Sequence, residues 1–179
     1  MLVERGFNVK INAVLIKDFN DDEIIDFINL TKNLPISFRF IEFMPFNGNK
    51  WDLKKMVPLA EILKKVTSHF SNENVEKIKD AENDTSKNYK IKGFKGSFAI
   101  ISSVTNPFCD TCNRLRLTAD GKLKNCLFSA SEADLLSSLR EGKFIAPIIQ
   151  RAIQHKFKIR GGMDTLSLIH ISEPTRPSQ

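Results

Sequence analysis

The order of the first two apolar runs is the feature that most constrains the fold of this chain. Residues 9–16 (VKINAVLI) are β-branched and apolar, with Lys10 and Asn12 on one face, and they predict a strand. Residues 36–44 (ISFRFIEFM) predict a second strand, and apolar residues recur at helical spacing between the two. A strand, helix, strand order gives parallel strands, which need cover on both faces. One such unit cannot stand alone, and the pattern predicts an α/β fold.

Local signals place the ends of the first two helices. Asn20 is the expected N-cap of the first helix, because acidic residues that suit a helix N-terminus follow it directly. Pro58 is expected in the first turn of a second helix, PLAEILKKVTSHF. The polar stretch Ser71–Lys92 has no clear period and predicts a loop across the surface.

The second half of the chain predicts a strand, a hairpin and two helices. The run that follows Phe94, KGSFAIISSV, predicts a strand, and RLRLT and KLKNCLF around the turn residues Ala119-Asp120-Gly121 predict a hairpin. Ser131 with Asp134 resembles a capping box that opens a helix, and Phe144–Phe157 predicts a further amphipathic helix.

Charge and hydropathy limit the partners. The formal net charge of +6 and the pI near 9.3 favour an anionic ligand, which could be a phosphate, a nucleotide or a nucleic acid. No apolar run approaches the roughly 20 residues needed to cross a bilayer, and the first residues lack a signal-peptide pattern. We therefore expect a soluble protein that is not secreted.

Three cysteines within one short stretch predict a metal site. Cys109 and Cys112 form a Cys-x-x-Cys pair, and thirteen residues that include the predicted hairpin turn separate Cys112 from Cys126. Three soft thiolates suit zinc or an iron–sulfur cluster, and an odd number fits a metal site better than a disulfide framework. Three ligands leave one metal position open for water or substrate, which His155 or His69 could otherwise close.

Basic residues beside the cysteines predict an anion site. Strand alternation over residues 113–117 would place Arg114 and Arg116 on one face, and arginine forks bind phosphate in bidentate fashion. Lys10 and Asn12 form a second polar pair inside an apolar strand, as where a barrel strand turns polar groups toward a ligand. The alternatives are a solvated strand face for the arginines and an edge strand for the second pair.

These motifs resemble those of a known family. Residues 108–128, FCDTCNRLRLTADGKLKNCLF, closely resemble the second cluster motif of the GTP 3′,8-cyclases, the radical S-adenosylmethionine enzymes that open molybdenum cofactor biosynthesis. Residues 39–51 (RFIEFMPFNGNKW) and 11–23 (INAVLIKDFNDDE) are similar to the last barrel segments of this family, in a form nearest the eukaryotic branch. The resemblance covers residues 6–163.

The resemblance implies a cluster and a substrate. A [4Fe-4S] cluster would be held by Cys109, Cys112 and Cys126, and its open iron would contact the purine of GTP. The remaining implied roles are GTP binding by Lys10, Arg114, Leu115 and Arg116, a contact of Met44 with S-adenosylmethionine, and a place for Arg39 near the same pocket.

The resemblance also implies an architecture. The fold would be α/β, the C-terminal part of an incomplete parallel, TIM-like barrel plus a small α+β iron–sulfur domain. Residues 1–57 would be the last strands and helix of a truncated radical barrel, 58–162 the [4Fe-4S] and GTP-binding domain, and 163–179 a disordered or foreign tail. The family's N-terminal [4Fe-4S] motif, Cys-x-x-x-Cys-x-x-Cys, does not occur in this sequence. We therefore expect a fragment that is inactive alone.

The implied reaction converts GTP to (8S)-3′,8-cyclo-7,8-dihydroguanosine 5′-triphosphate. We expect GTP as partner, no nucleic acid or membrane, and a homodimer for the full-length protein. The expected location is the mitochondrial matrix if the chain is eukaryotic and the cytoplasm otherwise. The alternative is a small zinc- or cluster-binding module that binds nucleotides or nucleic acid, and a third hypothesis is a misassembled gene piece that does not fold.

Overall fold

The computed structural model of the chain describes residues 2–45, 51–129 and 131–162. These residues form two compact units, of which the first contains residues 2–44 and 51–108 and the second contains residues 45, 109–129 and 131–162. The expected tail at 163–179 lies outside the described residues.

The first unit is built on a mixed five-stranded sheet with the order β1-β2-β5-β4-β3. Its strands are β1 (Lys10–Leu15), β2 (Ser37–Glu42), β3 (Val75–Lys77), β4 (Lys87–Ile91) and β5 (Ser97–Ile101). β1, β2 and β5 run parallel, whereas β4 is antiparallel to β5 and β3 is antiparallel to β4. The α/β class and the parallel pairing of the first two strands are confirmed.

Two helices, α1 (Ile24–Asn33) and α2 (Leu59–Phe70), belong to the same unit. Side chains alternate along β2, so that Phe38, Phe40 and Glu42 are buried while the residues between them are only half-buried. The core therefore lies on one face of the sheet. Its members are Leu15, Ile24, Ile28, Phe38, Phe40, Val57, Ile62, Val66, Ile91, Phe98 and Ile100.

The first unit extends beyond residue 57, where the sequence suggested a domain boundary. β5 pairs with β2 residue by residue from Ser37↔Ser97 to Ile41↔Ile101, so residues on both sides of that boundary share one sheet. The contacts instead divide the chain after Phe108.

The prediction of a loop over Ser71–Lys92 is wrong. This stretch contains a short 3-10 turn (Asn72–Asn74) and the two strands β3 and β4. Its charged residues hide the strand period, because they occur on both faces of these short strands: Glu76 and Lys77 are both exposed in β3, and Lys87 and Lys90 are both half-buried in β4. The Tyr89 side chain lies on the face of β4 that packs against the core, because its ring stacks on that of Phe98 in β5 with ring centroids 5.3 Å apart.

Asn20 is not the N-cap of α1, because the helix begins at Ile24 after an N-cap, Glu23, whose side chain makes no capping hydrogen bond. The Asn20 side chain closes the turn after β1 instead. Its Oδ1 accepts from the Ile16 N–H at 2.8 Å, and its Nδ2 donates to the Val14 carbonyl at 3.0 Å. The Asn20 side chain therefore hydrogen-bonds to the backbone of the turn, and it does not cap the N-terminus of α1.

The second unit contains a three-stranded antiparallel sheet with the order β6-β7-β8 and two helices. Its elements are β6 (Arg116–Leu117), β7 (Lys122–Lys124), β8 (Ala133–Asp134), α3 (Leu135–Arg140) and α4 (Ala146–Gln154). The predicted hairpin is confirmed as β6 and β7. The last helix is also confirmed, although it is shorter than predicted.

The predicted capping box at Ser131 is wrong. Asp134 itself is the N-cap of α3, and its Oδ1 accepts from the Ser137 N–H at 2.9 Å. The helix therefore begins later than the sequence pattern indicated, because residues 133–134 pair with β7 first. None of the helices in the described part of the chain has the length and apolar character needed to span a bilayer.

Candidate functional site

Polar side chains gather on the face of the first unit's sheet that is opposite the core. The register pairs Lys10 with Ser37 and Asn12 with Arg39, and paired residues of adjacent strands point to the same face. Lys10 and Asn12 are exposed. The Arg39 Nε is buried and has no hydrogen-bond partner among the described residues. An acceptor group bound on this face would satisfy that N–H.

Glu42, at the end of β2, is a buried carboxylate that sequence reasoning missed. It is 0% exposed. Its Oε2 accepts from the backbone N–H groups of Val104 at 2.9 Å and Thr105 at 3.0 Å, and its Oε1 accepts from the Leu59 N–H at 3.2 Å. The Thr105 hydroxyl donates to Oε1 as well. Glu42 thus ties the segments that follow β5 and precede α2 to the carboxyl end of β2.

The strand period contained a signal for this role, because Glu42 falls on the same face as two buried phenylalanines. A carboxylate on a core face needs hydrogen-bond donors, which the fold supplies from the segment after β5 and from the first turn of α2. Met44 lies two residues beyond the end of β2 and is half-buried.

The three cysteines lie in the second unit as free, half-buried thiols. Cys109 and Cys112 enclose a tight turn in which the Cys112 N–H donates to the Cys109 carbonyl at 3.1 Å. Cys126 follows β7 by two residues. Among the described residues, no group of three His, Cys, Asp or Glu side chains converges closely enough to hold a single metal ion. An iron–sulfur cluster takes each cysteine on a separate iron, so its ligands surround it rather than meet at one point.

Two cations donate to the Cys112 thiol. The Arg114 guanidinium Nη2 and the Lys156 Nζ each lie 3.4 Å from its Sγ. Burial raises the pKa of this thiol, but hydrogen bonds from the backbone and side chain of Arg114 and from Lys156 outweigh it, and the pKa falls to about 7. Because the thiolate is the form that binds metals, this donor set fits a cluster ligated by thiolates.

The segment after α4 contacts both cysteines of the Cys-x-x-Cys pair, and sequence reasoning did not foresee it. Lys156 Nζ also donates to the Cys112 carbonyl at 2.8 Å, and the Arg160 N–H donates to the Cys109 Sγ at 3.4 Å. Gly161 has a φ of +63°, and a Cβ built there would lie 2.8 Å from the Ser129 backbone nitrogen. Only glycine fits this close approach without displacing the backbone.

The two arginines do not share a strand face, so that prediction is wrong. β6 begins at Arg116, and Arg114 precedes it with its carbonyl accepting from Lys156 Nζ at 3.2 Å instead of from a neighbouring strand. Arg116 pairs with Lys124 in the hairpin and is exposed. Leu115, between the two arginines, is 39% exposed.

Neither histidine completes a group with the cysteines. His155 Nδ1 lies 2.8 Å from the Arg151 carbonyl of its own helix. His69 belongs to the first unit, where its ring packs edge-on against Phe70 at a centroid distance of 4.7 Å.

Fold and site together define a mixed α/β protein that carries its cysteines in a separate small unit. The chain belongs to the family described as Molybdenum Cofactor Synthesis C, whose model matches residues 36–161. It is 46% identical over 165 residues to the mitochondrial GTP 3′,8-cyclase of Arabidopsis thaliana, which covers 90% of this chain. It is 45% identical over 169 residues to the human molybdenum cofactor biosynthesis protein 1, which covers 92% of this chain.

A bacterial GTP 3′,8-cyclase from Listeria welshimeri is 43% identical over 153 residues, or 84% of this chain. The matched region is 42% of the Arabidopsis protein, 26% of the human protein and 45% of the Listeria protein. The chain therefore spans between a quarter and a half of the length of these relatives. The family resemblance seen in the cysteine motif is confirmed.

Proposed function

We propose that this chain contributes the cluster-binding and GTP-binding part of an enzyme that converts GTP to (8S)-3′,8-cyclo-7,8-dihydroguanosine 5′-triphosphate in molybdenum cofactor biosynthesis. The observation that carries the proposal is the environment of Cys112. Two cations donate to its sulfur, and they lower its pKa to about 7, which favours the thiolate form that binds iron. Relatives named GTP 3′,8-cyclase share the region that contains this motif.

In this proposal Cys109, Cys112 and Cys126 hold a [4Fe-4S] cluster. A cluster bound by three cysteines supplies one iron that lacks a protein ligand and is free to bind an atom of the substrate. Arg114, Leu115 and Arg116, which follow Asn113 after the Cys-x-x-Cys pair, bind the triphosphate, because guanidinium groups recognise phosphate oxygens.

The sheet face of the first unit takes the remaining roles. Lys10 contacts GTP. Arg39, whose buried Nε has no acceptor within the described part of the chain, binds a polar group of the substrate or of S-adenosylmethionine. Met44, beyond the end of β2, contacts S-adenosylmethionine. These groups orient the reactants while the cofactors supply the radical chemistry. The mitochondrial matrix is the proposed location if the chain is eukaryotic, by analogy with the Arabidopsis relative.

Anaerobic reconstitution of the chain with iron and sulfide tests the proposal. We expect a [4Fe-4S] complement of iron and sulfide, and binding of GTP that is tighter than binding of guanosine because the arginines contact phosphate. Zinc without sulfide in the purified chain would instead support the small zinc-binding module. We expect no 5′-deoxyadenosine from S-adenosylmethionine, since this chain's three cysteines are those of the proposed substrate-binding cluster.

A further inference from the structure

We infer that Lys156 is a positioning residue of the thiolate site, which fixes Cys112 from outside the hairpin and places a positive charge beside the bound cluster. The inference rests on the proposed cluster and goes beyond its ligands. Its basis is one ammonium group with three acceptors around it, two of them provided by Cys112.

Lys156 joins parts of the second unit that are distant in sequence. It lies two residues after the end of α4 and is half-buried, and 44 residues separate it from Cys112. Its Nζ donates to the Cys112 carbonyl at 2.8 Å, to the Arg114 carbonyl at 3.2 Å and to the Cys112 Sγ at 3.4 Å. An ammonium has three donors, and here each has an acceptor. The geometry therefore uses the full hydrogen-bonding capacity of the group.

The hydrogen bond from Lys156 to the Cys112 sulfur shows that Lys156 does more than hold the backbone of the turn. The two carbonyl bonds would suffice to fix the turn, but they leave the thiol unaffected. The third bond points a cation at a sulfur that ligates iron in the proposed function. Hydrogen bonds and positive charge near cluster sulfurs raise the reduction potential, because the reduced cluster carries one more negative charge.

The test measures the reduction potential of the reconstituted chain by anaerobic redox titration. Since all three cysteines of the sequence lie in this site, the signal belongs to one cluster. The variants are Lys156→Met, which removes the donors and the charge, Lys156→Gln, which keeps an N–H donor without the charge, and Lys156→Arg, which keeps both. Lys158→Met is the matched control, because Lys158 is exposed and lies two residues away.

We expect Lys156→Met and Lys156→Gln to shift the potential to more negative values and to lose iron faster to a chelator, with Lys156→Arg and Lys158→Met near the wild type. Circular dichroism of each cluster-free variant shows that it is folded. If Lys156→Met is unfolded, the shift in Lys156→Gln decides. An unchanged potential and unchanged iron loss in the charge-free variants would overturn the inference while leaving the cluster itself intact. A wild-type chain that takes up no cluster would overturn both the inference and the proposed function.

Discussion

The Glu42 carboxylate accepts a 2.9 Å hydrogen bond from the backbone N–H of Val104, 62 residues further along the chain. With the Thr105 and Leu59 donors, this single buried side chain satisfies backbone groups of the segment after β5 and of the first turn of α2. It therefore holds both of these segments at the carboxyl end of β2.

We expect Glu42→Gln to destabilise the protein by about 3 kcal/mol. The glutamine amide would place its own N–H group against the backbone N–H donors that now bond to the carboxylate. A hydrogen bond to a charged acceptor contributes about 1.5–3 kcal/mol, and this contribution would be lost. Urea denaturation measures the loss. Glu76→Gln, at an exposed position in β3, is the control and should change the midpoint little. Equal midpoints for the two variants would contradict the role assigned to Glu42.

Cys126→Ser should abolish retention of the cluster, because three cysteines already leave one iron without a protein ligand. Iron and sulfide analysis after reconstitution measures this. Ser129→Ala, three residues away in the same loop, is the control and removes no thiolate. A full [4Fe-4S] complement in Cys126→Ser would mean that Cys126 is not a ligand.

Arg116→Ala should weaken GTP binding roughly ten- to a hundredfold, the effect of losing one charge-assisted hydrogen bond of about 1.5–3 kcal/mol. Equilibrium binding to the reconstituted chain measures the change. Arg140→Ala, at the exposed end of α3, removes the same charge elsewhere and should leave binding unchanged. Guanosine should bind wild type and Arg116→Ala equally. A comparable loss of guanosine affinity would indicate that Arg116 supports the fold or the cluster.

In the cluster-free protein, alkylation of Cys112 by iodoacetamide should rise with pH about a midpoint near 7, because only the thiolate reacts. The folded pKa lies below the ordinary value of 9.0, so the thiolate stabilises the fold fully above pH 9, and this contribution is lost as the pH falls through 7. Peptide mass spectrometry measures the profile. Urea-unfolded protein is the control, and an identical midpoint there would contradict the lowered pKa.

Gly161→Ala should destabilise the second unit more than Gly142→Ala. Both glycines have positive φ, +63° and +70°, so alanine is strained at each by about 1–3 kcal/mol. Only at Gly161 would the new methyl group meet another backbone, that of Ser129 at 2.8 Å. Urea midpoints and iron retention compare the pair. Equal effects would mean that the close approach near Cys126 contributes nothing.

Periodicity predicted the elements whose signals are local. The β1, α1, β2 order and the hairpin near Gly121 follow from alternation and turn residues within a few positions. β3 and β4 were missed, because their burial arises from the pairing of β4 with β5 and of β3 with β4, which local polarity does not reveal.

In the candidate site, too, local features were predicted from the sequence and long-range contacts were not. The spacing of Cys109, Cys112 and Cys126 indicated a thiolate site, since that signal is contained in one motif. Lys156 and Glu42 were not foreseen as contacts, because their partners lie 44 and 62 residues away and depend on the completed fold. Single polar residues of this kind have no sequence signal beyond their place in a helix or strand.

β1 stands at the end of the strand order, and within the described ranges no strand pairs with its outer side. A row of backbone donors and acceptors on such an edge is a template for a second chain. Val14 and Ile11 on this strand are 43% and 37% exposed, so a second strand would also cover apolar surface there. It would stand beside Lys10 as well. Two copies of this chain would then associate through their β1 edges, and the extent of this association would rise with protein concentration.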